Sequence, residues 1–142
     1  MAPLKAFIVE DSPVIRENLI ATLEEMVPLR VVGTADDEAG AVQWLADPRN
    51  ECDLAIVDVF LRHGSGLGVL RAMQRRRPEV ECVVLTNYAT PDMRRQAIAL
   101  GATRLFDKSA DIDELVMHCL AKARPMPGGA SGGAGDGMAT GG

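Results

Sequence analysis

Five short apolar runs, separated by segments of helical spacing, constrain this chain more than any other feature of its sequence. AFIV at 6–9, LAIV at 54–57 and CVVL at 82–85 are continuous rather than alternating. That is the pattern of strands buried on both faces of a parallel sheet. Val31 and Val32, with Gly33 just after them, and Leu105 with Phe106 supply two weaker runs. Between the runs lie helix signals. Ser12 before Pro13 predicts a cap followed by a first-turn proline whose missing N–H costs nothing. Ile15, Leu19, Leu23 and Val27 then recur at i, i+4. Val42 and Leu45 anchor a second helix, and Leu67, Leu70 and Met73 a third. Thr90 and Pro91 repeat the cap signal before Ala97, Ile98 and Leu100, and Gly101 supplies a stop. Asp111 with Glu114 has the spacing of a capping box, leading into Leu115, Val116, Cys119, Leu120 and Ala123. The rhythm is (βα)5, which implies an α/β fold with an open parallel sheet between helices.

The 142 residues suffice for one such domain. Composition places its end at Arg124. Residues 125–142, PMPGGASGGAGDGMATGG, contain 8 of the 14 glycines and too little apolar surface to offset ordering. The reading is therefore a folded domain over 1–124 and a disordered Gly-rich tail over 125–142. A net charge of −5 argues against direct binding to nucleic acid or an anionic membrane. No apolar run approaches the roughly 18 residues of a membrane span, and the N-terminus lacks a secretory signal. Cys52, Cys82 and Cys119 form no CxxC pair, and His63 and His118 offer no zinc-site spacing. The expectation is a cytoplasmic protein whose cysteines act as small apolar residues.

In doubly wound sheets the working residues gather at the carboxyl ends of the strands. Here the first run ends in Glu10 and Asp11, the third in Asp58, the fourth in Thr86 and the fifth in Asp107 and Lys108. Three carboxylates about 5 Å apart at an effective dielectric of about 20 repel by roughly 3 kcal/mol per pair. Lys108 offsets part of this, and a hard divalent cation offsets more. Mg²⁺ suits one or two carboxylates with waters and phosphate oxygens. A carboxylate beside such a metal can attack phosphorus and form an acyl phosphate. The Lys108 ammonium and the Thr86 hydroxyl could then bind the phosphoryl oxygens. Each residue alone has an ordinary reading as a turn, cap or solvated side chain. Their joint occurrence, in this order, is specific.

The chain resembles the receiver domain of two-component response regulators across about residues 4–124. The matching segments are VEDSPVIRENL, LAIVDVFLRHGSGLGVL, VVLTNYAT and GATRLFDKS. Asp11 to Asp58 spans 47 positions, Asp58 to Thr86 spans 28, and Thr86 to Lys108 spans 22. The resemblance implies a flavodoxin-like five-stranded sheet in the order 2-1-3-4-5. It implies that Asp58 is the phosphoacceptor. Glu10, Asp11, Asp58 and the backbone carbonyl of Phe60 would arrange Mg²⁺, with Glu10 acting directly or through water. Thr86 would move to the phosphoryl group and Lys108 would pair with it. The phosphodonor would be a phosphohistidine on a sensor histidine kinase or phosphotransfer protein.

The family usually carries an aromatic residue three positions before the lysine, where this chain has Leu105, and proline after it, where this chain has Ser109. Without proline a cis bond would cost about 3 kcal/mol, so a trans peptide or a locally different loop is expected. Asn87 stands where Ala or Gly is usual and narrows the approach to Asp58. HGSGLG at 63–68 reads as a βα turn in which Gly66 and Gly68 permit close packing. The arginines at 75–77 read as a helix end, and Trp44, His63 and His118 as surface or packing residues. With no output domain after Arg124, the leading expectation is a stand-alone, chemotaxis-regulator-like switch and not an enzyme acting on a separate substrate. Its output partner would dock on the fourth helix, fifth strand and fifth helix, near Arg94, Arg95, Leu105 and Met117. The competing readings are a phosphorylation-independent interaction module and a phosphohydrolase. The latter would need a second catalytic acid and a pocket that the sequence does not reveal.

Overall fold

The computed structural model describes residues 2–123, which form β1 (Leu4–Val9), α1 (Pro13–Met26), β2 (Leu29–Ala35), α2 (Glu38–Ala46), β3 (Leu54–Val57), α3 (Gly66–Arg76), β4 (Glu81–Thr86), α4 (Pro91–Ala99), β5 (Arg104–Asp107) and α5 (Ile112–Ala123). The five strands pair in parallel in the order β2-β1-β3-β4-β5. The (βα)5 reading and the 2-1-3-4-5 order both hold. The domain end at Arg124 and the tail over 125–142 lie outside the described residues.

Alternation along each strand divides the core in two. Phe7, Val9, Ala55, Val57, Val84 and Leu105 face one way, against Ala41 and Leu45 of α2, Val69, Leu70 and Met73 of α3, and Ala97 of α4. Ala6, Ile8, Leu54, Ile56, Val83, Leu85 and Phe106 face the other way, against Leu19 and Leu23 of α1 and Leu115, Val116 and Cys119 of α5. The three continuous runs are the three central strands, apolar on both faces because helices cover both. Strand order reverses beside β1, so the helices leaving β1 and β3 go to opposite faces and open a crevice above the strand ends.

β2 is an edge strand, mostly half-buried, which is why its apolar signal is short. Its register against β1 shifts after Ala6, so Val32 is skipped in the pairing. Trp44 of α2 stacks on Phe7 at 4.1 Å and 7° between planes. A Cβ at Gly33 would stand 2.6 Å from the indole, so glycine in β2 makes room for it.

The helix starts follow the predicted chemistry. Ser12 Oγ accepts from Ile15 N–H at 3.3 Å and Thr90 Oγ1 from Met93 N–H at 3.1 Å. Gly101 ends α4 at a φ of +102°, which favours glycine. Asp111 departs from the expected capping box. Its carboxylate turns back to accept from Asp107 N–H at 2.9 Å, tying the loop after β5 rather than the first turn of α5. Ile15 and Ile98, counted as inward positions, are 39% and 46% exposed. No peptide bond among the described residues is cis, so the Lys108–Ser109 bond is trans as expected. No helix is long and apolar enough to cross a membrane, among the described residues.

Candidate functional site

The parallel register brings the strand ends level. Asp58 N–H donates to Val9 O at 3.0 Å, and Lys108 N–H donates to Thr86 O at 2.9 Å. Each first residue beyond a strand is thereby held by its neighbour strand. Glu10, Asp11, Asp58, Thr86 and Lys108 converge on one cavity of about 170 Å³, with Phe60, Asn87 and Tyr88 on its rim. A larger cleft of about 360 Å³ beside it, lined by Ile15, Leu19 and Ile112, shares only part of that wall and holds none of the three acids.

Glu10, Asp58 and Thr86 are 2%, 6% and 0% exposed. Burying two carboxylates is costly unless each is paired and hydrogen-bonded. Lys108 meets that need for both. Its Nζ lies 2.6 Å from Glu10 Oε1 and 2.7 Å from Asp58 Oδ2. Burial pulls the Lys108 ammonium down, but the hydrogen bonds it donates to Asp58 and Glu10 outweigh it and hold its pKa above the ordinary value. Glu10 Oε2 accepts from Ser12 N–H at 3.0 Å, so both of its oxygens are occupied and the turn into α1 is fixed. Arg16 Nη1 donates to the Glu10 carbonyl at 2.8 Å, a tie the sequence pattern did not reveal. Among the described residues Asp58 Oδ1 accepts a hydrogen bond only from Phe60 N–H, at 3.4 Å. It is the less engaged oxygen of the acid at the centre of the cluster.

Asp11 is half-buried and accepts from Arg62 N–H at 2.7 Å. One oxygen each from Glu10, Asp11 and Asp58 lie within 4.8 Å of one another. Oxygens about 2.1 Å from an octahedral Mg²⁺ stand about 3.0 Å apart when adjacent and about 4.2 Å when opposed. The trio therefore fits a small hard cation after a slight contraction, and its charge supplies the reason to contract.

Thr86 Oγ1 accepts from Tyr88 N–H at 3.2 Å and has no bond to Asp58 among the described residues. Phe60 and Tyr88 meet edge to face, with ring centroids 4.7 Å apart. They are 52% and 59% exposed, so they stand as a pair over the rim rather than in the core. The expected close packing at the βα turn is present. A Cβ at Gly66 would fall 2.1 Å from the Asp58 carbonyl oxygen, so the turn under the acid needs glycine. Of the residues expected on the output face, Leu105 is buried, Arg94 Nη1 donates to its carbonyl at 3.1 Å, Arg95 pairs with Asp92, and Met117 is 64% exposed.

Comparison with known proteins agrees with this geometry. The family model described as the response regulator receiver domain matches residues 6–119. The DNA-binding transcriptional activator DevR/DosR of Mycobacterium tuberculosis is 34% identical over 100 residues, covering 70% of this chain and 45% of that protein. The chain spans less than half the length of the first curated relatives it matches. Among solved structures, the signal receiver domain of the response regulator NarL from Mycobacterium tuberculosis superposes with a TM-score of 0.77 at 24% identity, covering 87% of this chain and 98% of that one. A response regulator from Burkholderia pseudomallei, solved with a phosphorylated aspartic acid, calcium ion and citrate, gives 0.70 at 22% identity over 82% and 66%.

Proposed function

The chain belongs to the response regulator receiver family, and from that premise we propose that Asp58 accepts a phosphoryl group from a phosphohistidine. One observation carries the reading: Asp58 is buried at the end of a central strand and lines the cavity, one oxygen held by Lys108 and the other taking a bond of 3.4 Å from Phe60 N–H. The donor is a sensor histidine kinase or a histidine phosphotransfer protein. Asp58 Oδ1 attacks phosphorus, an O–P bond forms, and the N–P bond of the phosphohistidine breaks. The electron pair leaves with the imidazole, and the product is an aspartyl phosphate.

Glu10, Asp11, Asp58 and the Phe60 carbonyl would hold Mg²⁺, which when bound supplies positive charge to phosphoryl oxygens. The residues of the chain do the rest. Lys108, already 2.7 Å from Asp58, exchanges a carboxylate contact for a phosphoryl oxygen. Thr86 must leave Tyr88 N–H to reach the same group, so phosphorylation would couple to the loop after β4. That loop leads into α4, and Arg94 joins α4 to β5. The proposed output is therefore a protein partner at α4, β5 and α5. The net charge of −5 favours a protein over nucleic acid there. DNA binding is named for the longer Mycobacterium relative and is not carried over. The chain acts on its own phosphoryl group, in the cytoplasm with its kinase, and is not an enzyme toward a separate substrate.

Intact-mass spectrometry after incubation with Mg²⁺ and phosphoramidate tests the reading. One phosphoryl adduct is expected in the wild type and none in Asp58→Asn. An adduct retained in Asp58→Asn overturns it by placing the acceptor on another residue, and an adduct absent from both overturns it in favour of a phosphorylation-independent module.

A further inference from the structure

We propose that Glu38, on the first turn of α2 and outside the acidic cavity, is a positioning residue for the loop that carries Phe60 into the site. The proposal rests on the reading of that site as a Mg²⁺-assisted phosphoacceptor.

The loop between β3 and α3 is closed at its base. Phe60 and Ser65 form an isolated antiparallel bridge, and Gly66 N–H donates to Val59 O at 2.8 Å. These bonds give the loop a shape but do not fix it against the rest of the fold. Two acids do that. Asp11 takes Arg62 N–H from the side of the cavity. Glu38 takes Ser65 N–H at 2.9 Å from the opposite element, while its own N–H donates to His63 O at 3.2 Å. One residue of α2 thus grips the loop through an acceptor and a donor together.

The space around its carboxylate is cleared for it. A Cβ at Gly64 would stand 2.5 Å from Glu38 Cβ, and a Cβ at Gly68 would stand 2.2 Å from its Oε2. The half-buried side chain therefore runs between two glycines, at positions where a β-carbon would collide with it, and its other side borders an open cleft. An acid in the first turn of a helix is favourable for the helix dipole alone and needs no such clearance. The close approach to both glycines, together with the bond from Ser65 N–H, indicates a role aimed at the loop. Ser65 pairs with Phe60, whose N–H faces Asp58 and whose ring covers the cavity. Restraint at Glu38 reaches the metal and phosphoryl positions by that route.

The test titrates the full chain with Mg²⁺ by calorimetry and follows amide exchange of Ser65 without metal. Glu38→Ala should weaken Mg²⁺ binding about tenfold, the scale of a lost supporting contact at a metal site, and speed Ser65 exchange. Glu38→Gln keeps a carbonyl acceptor and should stay within about twofold of wild type. Gly68→Ala leaves Glu38 chemically intact but displaces its carboxylate. It should weaken Mg²⁺ binding by a similar factor without lowering the Tm, since alanine suits a helix better. The two lesions combined should add nothing further, because they remove one contact. Unchanged Mg²⁺ affinity in both Glu38→Ala and Gly68→Ala overturns the proposal. So does an equal loss in Glu38→Ala and Glu38→Gln that tracks their Tm. A wild type that binds no Mg²⁺ overturns the underlying site reading and this role with it. A wild type that binds, alongside variants that bind equally well, overturns only Glu38.

Discussion

Hydrolysis of an aspartyl phosphate needs a water in line with the O–P bond, and Phe60 and Tyr88 line the cavity that such a water would have to enter. Their edge-to-face contact at 4.7 Å makes them one unit over the rim, worth about 0.5–1.5 kcal/mol beyond the area they cover. We expect the phosphorylated protein to persist for many minutes to hours. Phe60→Asn with Tyr88→Glu should decay about tenfold faster, a barrier change of about 1.4 kcal/mol. Because each ring steadies the other, the single changes should sum to more than the pair. Decay of the phosphorylated mass after donor removal measures this, and a wild-type half-life of seconds would exclude it. At this scale the convergence of Glu10, Asp11, Asp58, Thr86 and Lys108 on one rim was legible because each stands at the end of an apolar run. Their pairings were not. That Lys108 spans Glu10 and Asp58 depends on its side chain reaching from the end of edge strand β5 past β4 to the ends of β3 and β1, and Glu38 is an ordinary acid until α2 meets the loop at 63–68.

Among the elements, α5 is fastened to the sheet at the end away from the cavity by a polar cluster. Glu81, which opens β4, accepts from Thr103 Oγ1 at 2.5 Å, lies 2.8 Å from His118 Nε2 and lies 3.2 Å from Lys122 Nζ. His118 also meets the Phe106 ring edge to face at 5.8 Å. Burial raises the Glu81 carboxyl, but the hydrogen bonds from Thr103, His118 and Lys122 outweigh it and hold the pKa below the ordinary 4.5. A depressed carboxyl contributes stability above its unfolded value and loses it as pH falls through the folded value. Stability should therefore fall from about pH 4.5 downward, and less steeply in Glu81→Gln, which should also cost about 1 kcal/mol at pH 7. Urea midpoints at several pH values report both effects. Parallel slopes in the two proteins would remove Glu81 from the account. The strands and caps were readable where local chemistry sets them, as at Ser12, Thr90 and Gly101. β2 was readable only in part, since an edge strand is half-buried and its skipped Val32 has no signature in the chain. The Asp111 carboxylate was misjudged because the last residue of β5 offers its N–H as a donor instead, from Asp107.

Across the whole molecule the cysteines are the inert apolar residues the sequence suggested. All three are buried and unbridged, and burial pushes the thiols of Cys52 and Cys119 up to about 11 and that of Cys82 higher still. The strain that remains is electrostatic. Three carboxylates share one rim and Lys108 compensates two of them, leaving Asp11 without a cationic partner among the described residues. A cation that binds the folded chain and not the unfolded one stabilises it by mass action, about 1.4 kcal/mol at ten times its Kd. For a domain of this size that is a rise in Tm of about 5 °C. Asp11→Ala should abolish most of the rise. In the absence of metal the same change should move the Tm little, because relief of repulsion opposes loss of the bond from Arg62 N–H at 2.7 Å. Thermal melts with and without Mg²⁺ decide the point. A wild-type Tm indifferent to Mg²⁺, or an Asp11→Ala protein that gains as much as the wild type, would show that the charge of the rim is balanced in some other way.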